Sequence, residues 1–275
     1  MKIQKNKQQF RLTFSISFGL LLVILASAFS EIKPTNSGSR VNSPKIGTQD
    51  LDSDFVSIFD GKTLDGWKVY GSPDDVAKNY WKVENGTITC NTIGDRDHAA
   101  VWLFYEEELS DFELKIKFQA YRDSPGNSGI QVRSRFYDGG DIDGPQFDIH
   151  PPGPFRTGLL YDESDGYNRW IYPSMPSPAL KPEEADNNAP FYYSDDTPSW
   201  NQLHIICKGT YIKSILNGVV VTDFDGEGIL NDQIHKEQNV GMHGKIALQV
   251  HGKNELLIRF KDIQLKKINE KSTKG

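Results

Sequence analysis

The chain of 275 residues is poor in cysteine, with only Cys90 and Cys207. Two cysteines exclude a disulfide framework and a four-cysteine zinc site. Both lie in strand-like segments, where two buried free thiols fit better than one disulfide. Beyond residue 28 there is no long apolar run, so the body offers no helix suited to cross a bilayer. Basic residues are in the minority, 31 Lys and Arg against 37 Asp and Glu, for a formal charge of −6. Lys2, Lys5, Lys7 and Arg11 fall in the first 28 residues with no acid beside them, leaving 27 against 37, or −10, for the remainder. Such a body lacks the positive field that nucleic acid or an anionic membrane requires. A glycine-rich phosphate loop, an HExxH helix and a GxSxG elbow are also missing. The composition is otherwise globular, with 37% hydrophobic and 25% charged residues, which excludes disorder for most of the chain.

Residues 1–12 are basic and polar, Phe14 to Ala28 form an apolar run, and Ala26-Ser27-Ala28 places small residues where a signal peptidase reads them. This layout predicts a secretory signal peptide over 1–28 and an extracytoplasmic product, periplasmic or secreted. The alternative is an uncleaved N-terminal anchor, although the run is shorter than the ~20 residues a spanning helix needs. No cysteine follows it, which disfavours a lipid anchor. Residues 29–50 are rich in Ser, Asn, Gly and Pro without periodicity and read as a flexible linker. Residues 51–270 then form one domain of a size a β-sandwich fills.

The body alternates with period two. Phe112, Leu114, Ile116 and Phe118 face one way, with Glu113, Lys115 and Lys117 opposite, as in a half-buried strand. Asn85-Gly86 and Asn217-Gly218 each join two strand-like runs, the signal for a tight hairpin turn. Further strands are expected at 129–136, 145–150, 202–208, 245–251 and 255–266, and no amphipathic helix longer than about two turns is visible. Many antiparallel strands at short spacing predict an all-β antiparallel sandwich or jelly roll. Residues 151–200, rich in proline and aromatic residues, do not fit this spacing. They read as a wall or lid over a binding face, or else as a decorated edge packed for stability.

Alternate residues of a strand share a face. Gln146, Asp148 and His150 therefore project together, as do Gln131, Arg133 and Arg135, and again Gln249 and His251. These planar hydrogen-bonding groups suit sugar hydroxyls, whereas a merely solvated outer face favours Lys, Glu and Thr. An ordinary glycosidase places two carboxylates across the scissile bond, and here the strand presents one, Asp148. Asp162 and Glu163 could supply a second, but Tyr161-Asp162-Glu163 reads equally well as a turn, so a conventional retaining glycosidase is disfavoured. Asp138 to Asp143 offers oxygen ligands at short spacing but lacks the acid that closes an EF-type calcium loop, and reads as a polar turn. His98, His235 and His243 carry no assignable role. Asn85-Gly-Thr87 matches a glycosylation sequon that the tight turn already explains.

A set of motifs in order then becomes informative: Ile58-Phe-Asp-Gly-Lys-Thr-Leu-Asp-Gly-Trp67, Ser110-Asp-Phe-Glu-Leu114, Gly126-Asn-Ser-Gly-Ile130 with Arg133, Gly144-Pro-Gln-Phe-Asp148 and Thr157-Gly-Leu-Leu-Tyr-Asp-Glu163. Trp200-Asn201, Leu216-Asn-Gly218, Lys245-Ile-Ala-Leu-Gln-Val-His251 and Phe260-Lys-Asp-Ile263 follow. Over about 55–268 the chain resembles the 3-keto-disaccharide hydrolase domain family, also described as 3-keto-glucoside lyase/hydratase domains. The resemblance implies a concanavalin-like jelly roll acting on glucosides already oxidised to a ketone at C3, and so downstream of a sugar 3-dehydrogenase. Such a ketone acidifies the C2 hydrogen, so a base can form an enolate and the C1 substituent leaves by elimination. Rehydration of the enone completes a net hydrolysis. The resemblance places Asp148 or His251 as base and Arg133 on the enolate or a sugar oxygen. Gln146, His150, Arg156, Tyr161, Glu163, Arg169, Trp170 and Gln249 would shape the sugar pocket. A divalent metal could fill the electrophile role. This sequence departs from the family in having Asp148 where Glu is commoner, and Pro145 where a larger residue is usual. A non-catalytic carbohydrate-binding module and a conventional glycoside hydrolase are the competing expectations.

Overall fold

The computed structural model describes residues 54–137 and 142–268. The expected signal peptide over 1–28, the linker over 29–50 and residues 138–141 of the candidate calcium turn lie outside the described residues.

The described chain is almost wholly strand. In order these are β1 (Val56–Ser57), β2 (Trp67–Tyr70), β3 (Trp81–Glu84), β4 (Thr87–Asn91), β5 (Val101–Leu109) and β6 (Phe112–Ala120). There follow β7 (Ser128–Phe136), β8 (Ile142–Asp143), β9 (Pro145–Ile149), β10 (Leu160–Asp162) and β11 (Arg169–Tyr172). The last are β12 (Asn201–Lys208), β13 (Tyr211–Leu216), β14 (Val219–Asp225), β15 (Gly244–Val250) and β16 (Leu257–Lys267). Two short helices, α1 (Pro73–Ala77) and α2 (Gln233–Gln238), complete the regular structure together with two 3-10 turns.

The strands form two antiparallel sheets, so the domain is a β-sandwich of jelly-roll type. One sheet runs β14-β13-β12-β6-β16-β4-β3 with β1 against β16, and the other runs β11-β10-β9-β7-β15-β5-β2 with β8 against β7. Inward residues of both sheets, among them Leu114, Ile116, Phe118, Ile130, Phe147, Leu203, Leu248 and Phe260, make one continuous core. The two hairpins form as expected. Asn85 and Asn217 take φ of 51° and 50°, followed by Gly86 and Gly218 at 75° and 86°, the left-handed pair a two-residue hairpin demands. Cys90 and Cys207 are both free and buried.

β5 was not visible in the alternation for a physical reason. Its first four residues are buried on both faces: Val101 and Leu103 enter the main core, while Trp102 and Phe104 enter a second apolar cluster on the other side of the sheet. A strand covered on both faces shows a continuous apolar run instead of alternation. The stretch 151–200 combines both of its readings. It supplies β10 and β11 to the sheet edge, Phe155, Tyr172 and Phe191 pack against the core, and Arg156 and Tyr161 form a cavity wall.

The strongest correction concerns Arg133. Lys245 pairs with Ser134 and Ala247 with Gln131, so β7 carries one residue more than β15 over the same interval. This is a β-bulge, with Arg133 at φ 52°. The insertion reverses the parity of the strand, and it is Ser134 that joins Gln131, donating to its Oε1 at 2.8 Å. Arg133 turns away into a fully buried position. There Nε donates to the Ser110 carbonyl at 2.6 Å, Nη1 to those of Gly209 and Gly241 at 2.6 and 3.2 Å, and Nη2 to Asp111 at 3.0 Å. It ties three turns at one end of the sandwich and does not line the candidate cavity. Arg133→Met should therefore cost about 3–5 kcal/mol of stability in urea unfolding, since it leaves buried acceptors and Asp111 without their cation.

Candidate functional site

The outer face of the second sheet carries the polar side chains that alternation aligns. Phe147 and Ile149 of β9 enter the core, which leaves Gln146 and Asp148 on the opposite face. A glycine in the neighbouring strand makes the room they need. A Cβ on Gly129 would stand 2.3 Å from Cδ of Gln146, so any larger residue at 129 would displace that amide. From the bulge a line of hydrogen bonds crosses the face: Ser134 Oγ donates to Gln131 Oε1 (2.8 Å), Gln131 Nε2 to Gln146 Oε1 (3.2 Å), and Gln146 Nε2 to Glu163 Oε1 (3.3 Å). Glu163 is thus aimed by a relay that begins at the bulge.

Gln146, Asp148, His150, Arg156, Tyr161, Glu163 and His251 line one cavity of about 440 Å³, within the ~300–1,000 Å³ usual for small-molecule sites. Asn127, Asn168 and Asn254 also line it, with Pro178. Asn127 Oδ1 lies 3.3 Å from His150 Nδ1, and Asn254 Nδ2 lies 3.1 Å from His251 Nδ1, so the asparagines fix both imidazoles. These three were missed because they sit in loops, where no periodicity marks them.

Two carboxylates therefore share the pocket, although the sequence showed only one with assurance. Asp148 is buried (1% exposed), with Arg156 Nε 2.8 Å from its Oδ2. The ion pair is close but poorly aligned, and both Asp148 oxygens lack a properly directed hydrogen bond. Burial pushes the Asp148 carboxyl up to about 6, with the Arg156 cation partly offsetting it. Glu163 is half-buried. Burial and then the like charge of Asp148 push it up to about 7, against a hydrogen bond from Gln249. His150 is driven down to about 4, by burial first and then by Arg156 and His251. Tyr161 is pushed up to about 12 by burial and by Glu163. A carboxyl near 7 beside a fixed cation can take up and return a proton at neutral pH.

Three expected pocket residues, Trp170, Arg169 and Gln249, lie outside this cavity. Trp170 is fully buried, donates to the Pro178 carbonyl at 3.1 Å and supports Arg156, whose guanidinium carbon stands 5.0 Å from its ring centroid. Arg169 is occupied with Asp162 at 3.3 Å and stacks over Tyr167 at 3.6 Å. Both are on β11, one strand beyond the wall. Gln249 is nearly buried and lines an adjoining cavity that shares Glu163 and His251. His235, which had no role in the sequence, is fully buried 3.4 Å from Asp162 and 2.9 Å from Asp232. Burial disfavours its charge, but the two aspartates outweigh burial and raise its pKa. The network anchors the residue next to Glu163. Among the described residues no three His, Cys, Asp or Glu are grouped so as to hold a metal ion.

The family model described as the 3-keto-alpha-glucoside-1,2-lyase-like domain matches residues 54–266. The chain belongs to that family. A 3-keto-disaccharide hydrolase of Bacteroides thetaiotaomicron is 27% identical over 178 residues, covering 59% of this chain and 56% of that protein. The aligned stretch thus spans little more than half the length of this curated relative. Among solved structures, one from Parabacteroides distasonis, provisionally named a glycosyl hydrolase, aligns with a TM-score of 0.50 and 18% identity over 78% of this chain and 94% of its own. The exoplasmic/lumenal domain of VIP36, in a Ca2+/Man3GlcNAc-bound form, aligns with a TM-score of 0.50 and 10% identity over 77% and 87%. At these identities the family domain shares with both a fold.

Proposed function

We propose that the chain cleaves 3-keto-glucosides, including 3-keto-disaccharides, by elimination at C1 followed by hydration, with Glu163 as the base. The carrying observation is the pairing, in one pocket of a domain of this family, of a carboxyl raised to about 7 with the cation Arg156. The Glu163 carboxylate removes the C2 proton, which the C3 ketone acidifies. The electron pair becomes a C2–C3 enolate whose oxygen Arg156 stabilises. As the ketone re-forms, C1=C2 is made and the C1–O bond breaks, and the departing oxygen takes a proton from His251 at the pocket's junction with its neighbour. Water then adds at C1 and gives its proton back to His251, while protonated Glu163, exchanged with solvent once the leaving group has gone, returns a proton to C2. Asp148, enclosed behind Arg156, is a positioning residue that holds the guanidinium. Arg156 thus takes the part expected of Arg133, and Glu163 the part expected of Asp148.

A 3-keto substrate implies a preceding reaction that oxidises C3 of a glucoside. The leader-like N-terminus supports placing this chemistry outside the cytoplasm. The two carboxylates in one pocket favour a conventional glycosidase as the second reading. Incubating the protein with a 3-keto-disaccharide in deuterated water, followed by NMR, tests both. Release of the C1 substituent with solvent deuterium at C2 is the expected result. Cleavage of an unoxidised glucoside without exchange would establish the glycosidase instead, and binding without release a carbohydrate-binding module.

A further inference from the structure

A second cavity, of about 690 Å³, opens beside the first, and the two share Glu163 and His251. Its floor differs in character. A sandwich needs apolar side chains between its sheets, yet here Trp102, Phe104, Ile142 and Ala247 form a separate apolar cluster on the outer side of the second sheet. Trp102 and Ile142 from that cluster line the second cavity, and Tyr137 and Tyr167 add aromatic walls. Tyr137 is 37% exposed. Trp102 pairs with Gln249 across β5 and β15, and its buried Nε1 has no hydrogen-bond partner. The first cavity, by contrast, is walled by amides, imidazoles and charges.

We propose that this second cavity is the subsite for the leaving group, and that it selects a group that is itself a ring with an apolar face, a second sugar or a carbocycle, over a short alkyl chain. The proposal rests on the reading of the first cavity as the site of the oxidised sugar. With C2 at Glu163 and the departing oxygen at His251, the C1 substituent passes these two residues and enters the cavity they share. An apolar ring face laid on Tyr137, over the floor that buried Trp102 and Ile142 close, loses contact with water, and that gain distinguishes it from a methyl group.

Cyclohexyl and methyl 3-keto-glucosides test the preference, because both release an unactivated alcohol and differ chiefly in the ring. The expected kcat/KM is roughly tenfold or more higher for cyclohexyl, and a 3-keto-disaccharide serves as the arm for a sugar leaving group. Ala99 lines the cavity and is exposed, so Ala99→Trp fills the space without disturbing the core, and thermal melting checks that the variant is folded. The variant should bring the cyclohexyl-to-methyl ratio close to one. Calorimetric binding of the same two glucosides reads the subsite without turnover. A protein that cleaves neither glucoside yet binds the cyclohexyl compound more tightly, in a way Ala99→Trp abolishes, keeps the subsite and loses the elimination chemistry. Equal binding and equal turnover of the two glucosides, or a preference that survives Ala99→Trp, overturns the subsite.

Discussion

Glu163→Gln is expected to lower kcat/KM on a 3-keto-glucoside by about 10²–10⁴-fold, the usual contribution of a positioned general base. The wild-type pH profile should rise through about 7, where the carboxyl of Glu163 titrates, and the residual activity of the variant should lose that rise. The same substitution should stabilise the protein. An acid whose pKa is raised by folding from 4.5 to about 7 contributes stability while it is protonated and loses it as pH rises through the folded value. Gln has no such loss and keeps the shape. Wild type and variant should melt together near pH 4 and diverge as pH rises, the variant leading by about 1–3 kcal/mol at pH 8. Activity lost with no gain in stability at high pH would argue that Glu163 is an ordinary solvated carboxylate, whose pKa folding leaves where it was.

The second large effect is at Arg156. Arg156→Met should reduce kcat by about 10²-fold or more, because the developing enolate loses its cation. It should also leave Asp148 enclosed with no opposite charge, since Arg156 is the group that lowers the Asp148 pKa against burial. With the cation gone that pKa climbs further, so the variant loses stability progressively above pH 6, by about 1–3 kcal/mol. Adding Asp148→Asn removes the stranded charge. The double variant should recover its stability in urea unfolding and remain inactive, separating Asp148's hold on Arg156 from the chemistry. Full activity in the double variant would remove Arg156 from the reaction.

The sequence made the sandwich and part of the pocket legible because period two survives wherever one sheet face is buried and the other is not. Phe112 to Phe118, Gln146 with Asp148, and the two Asn-Gly hairpins are of this kind. Legibility failed where a second layer or an extra residue intervenes. β5 is apolar on both faces, so it shows no alternation. The bulge in β7 keeps Gln131 on the pocket face and takes Arg133 off it, and a one-residue insertion leaves no compositional trace. Glu163 stood in a segment that reads as a turn, and its pKa is raised by burial and then by the charge of Asp148, both of which exist only in the fold. The nearness of Asp148 also removed the premise that the site is short of carboxylates. Elimination now rests on the family and on the Glu163–Arg156 pairing.

The extra residue in β7 also bears on how freely this protein can vary. Before it, Gly129 and Gln131 serve the ligand face, and within it Arg133 fastens three turns. A single strand thus meets two separate demands, two positions apart. A substitution before the bulge therefore registers first in the pocket, and one at Arg133 first in stability.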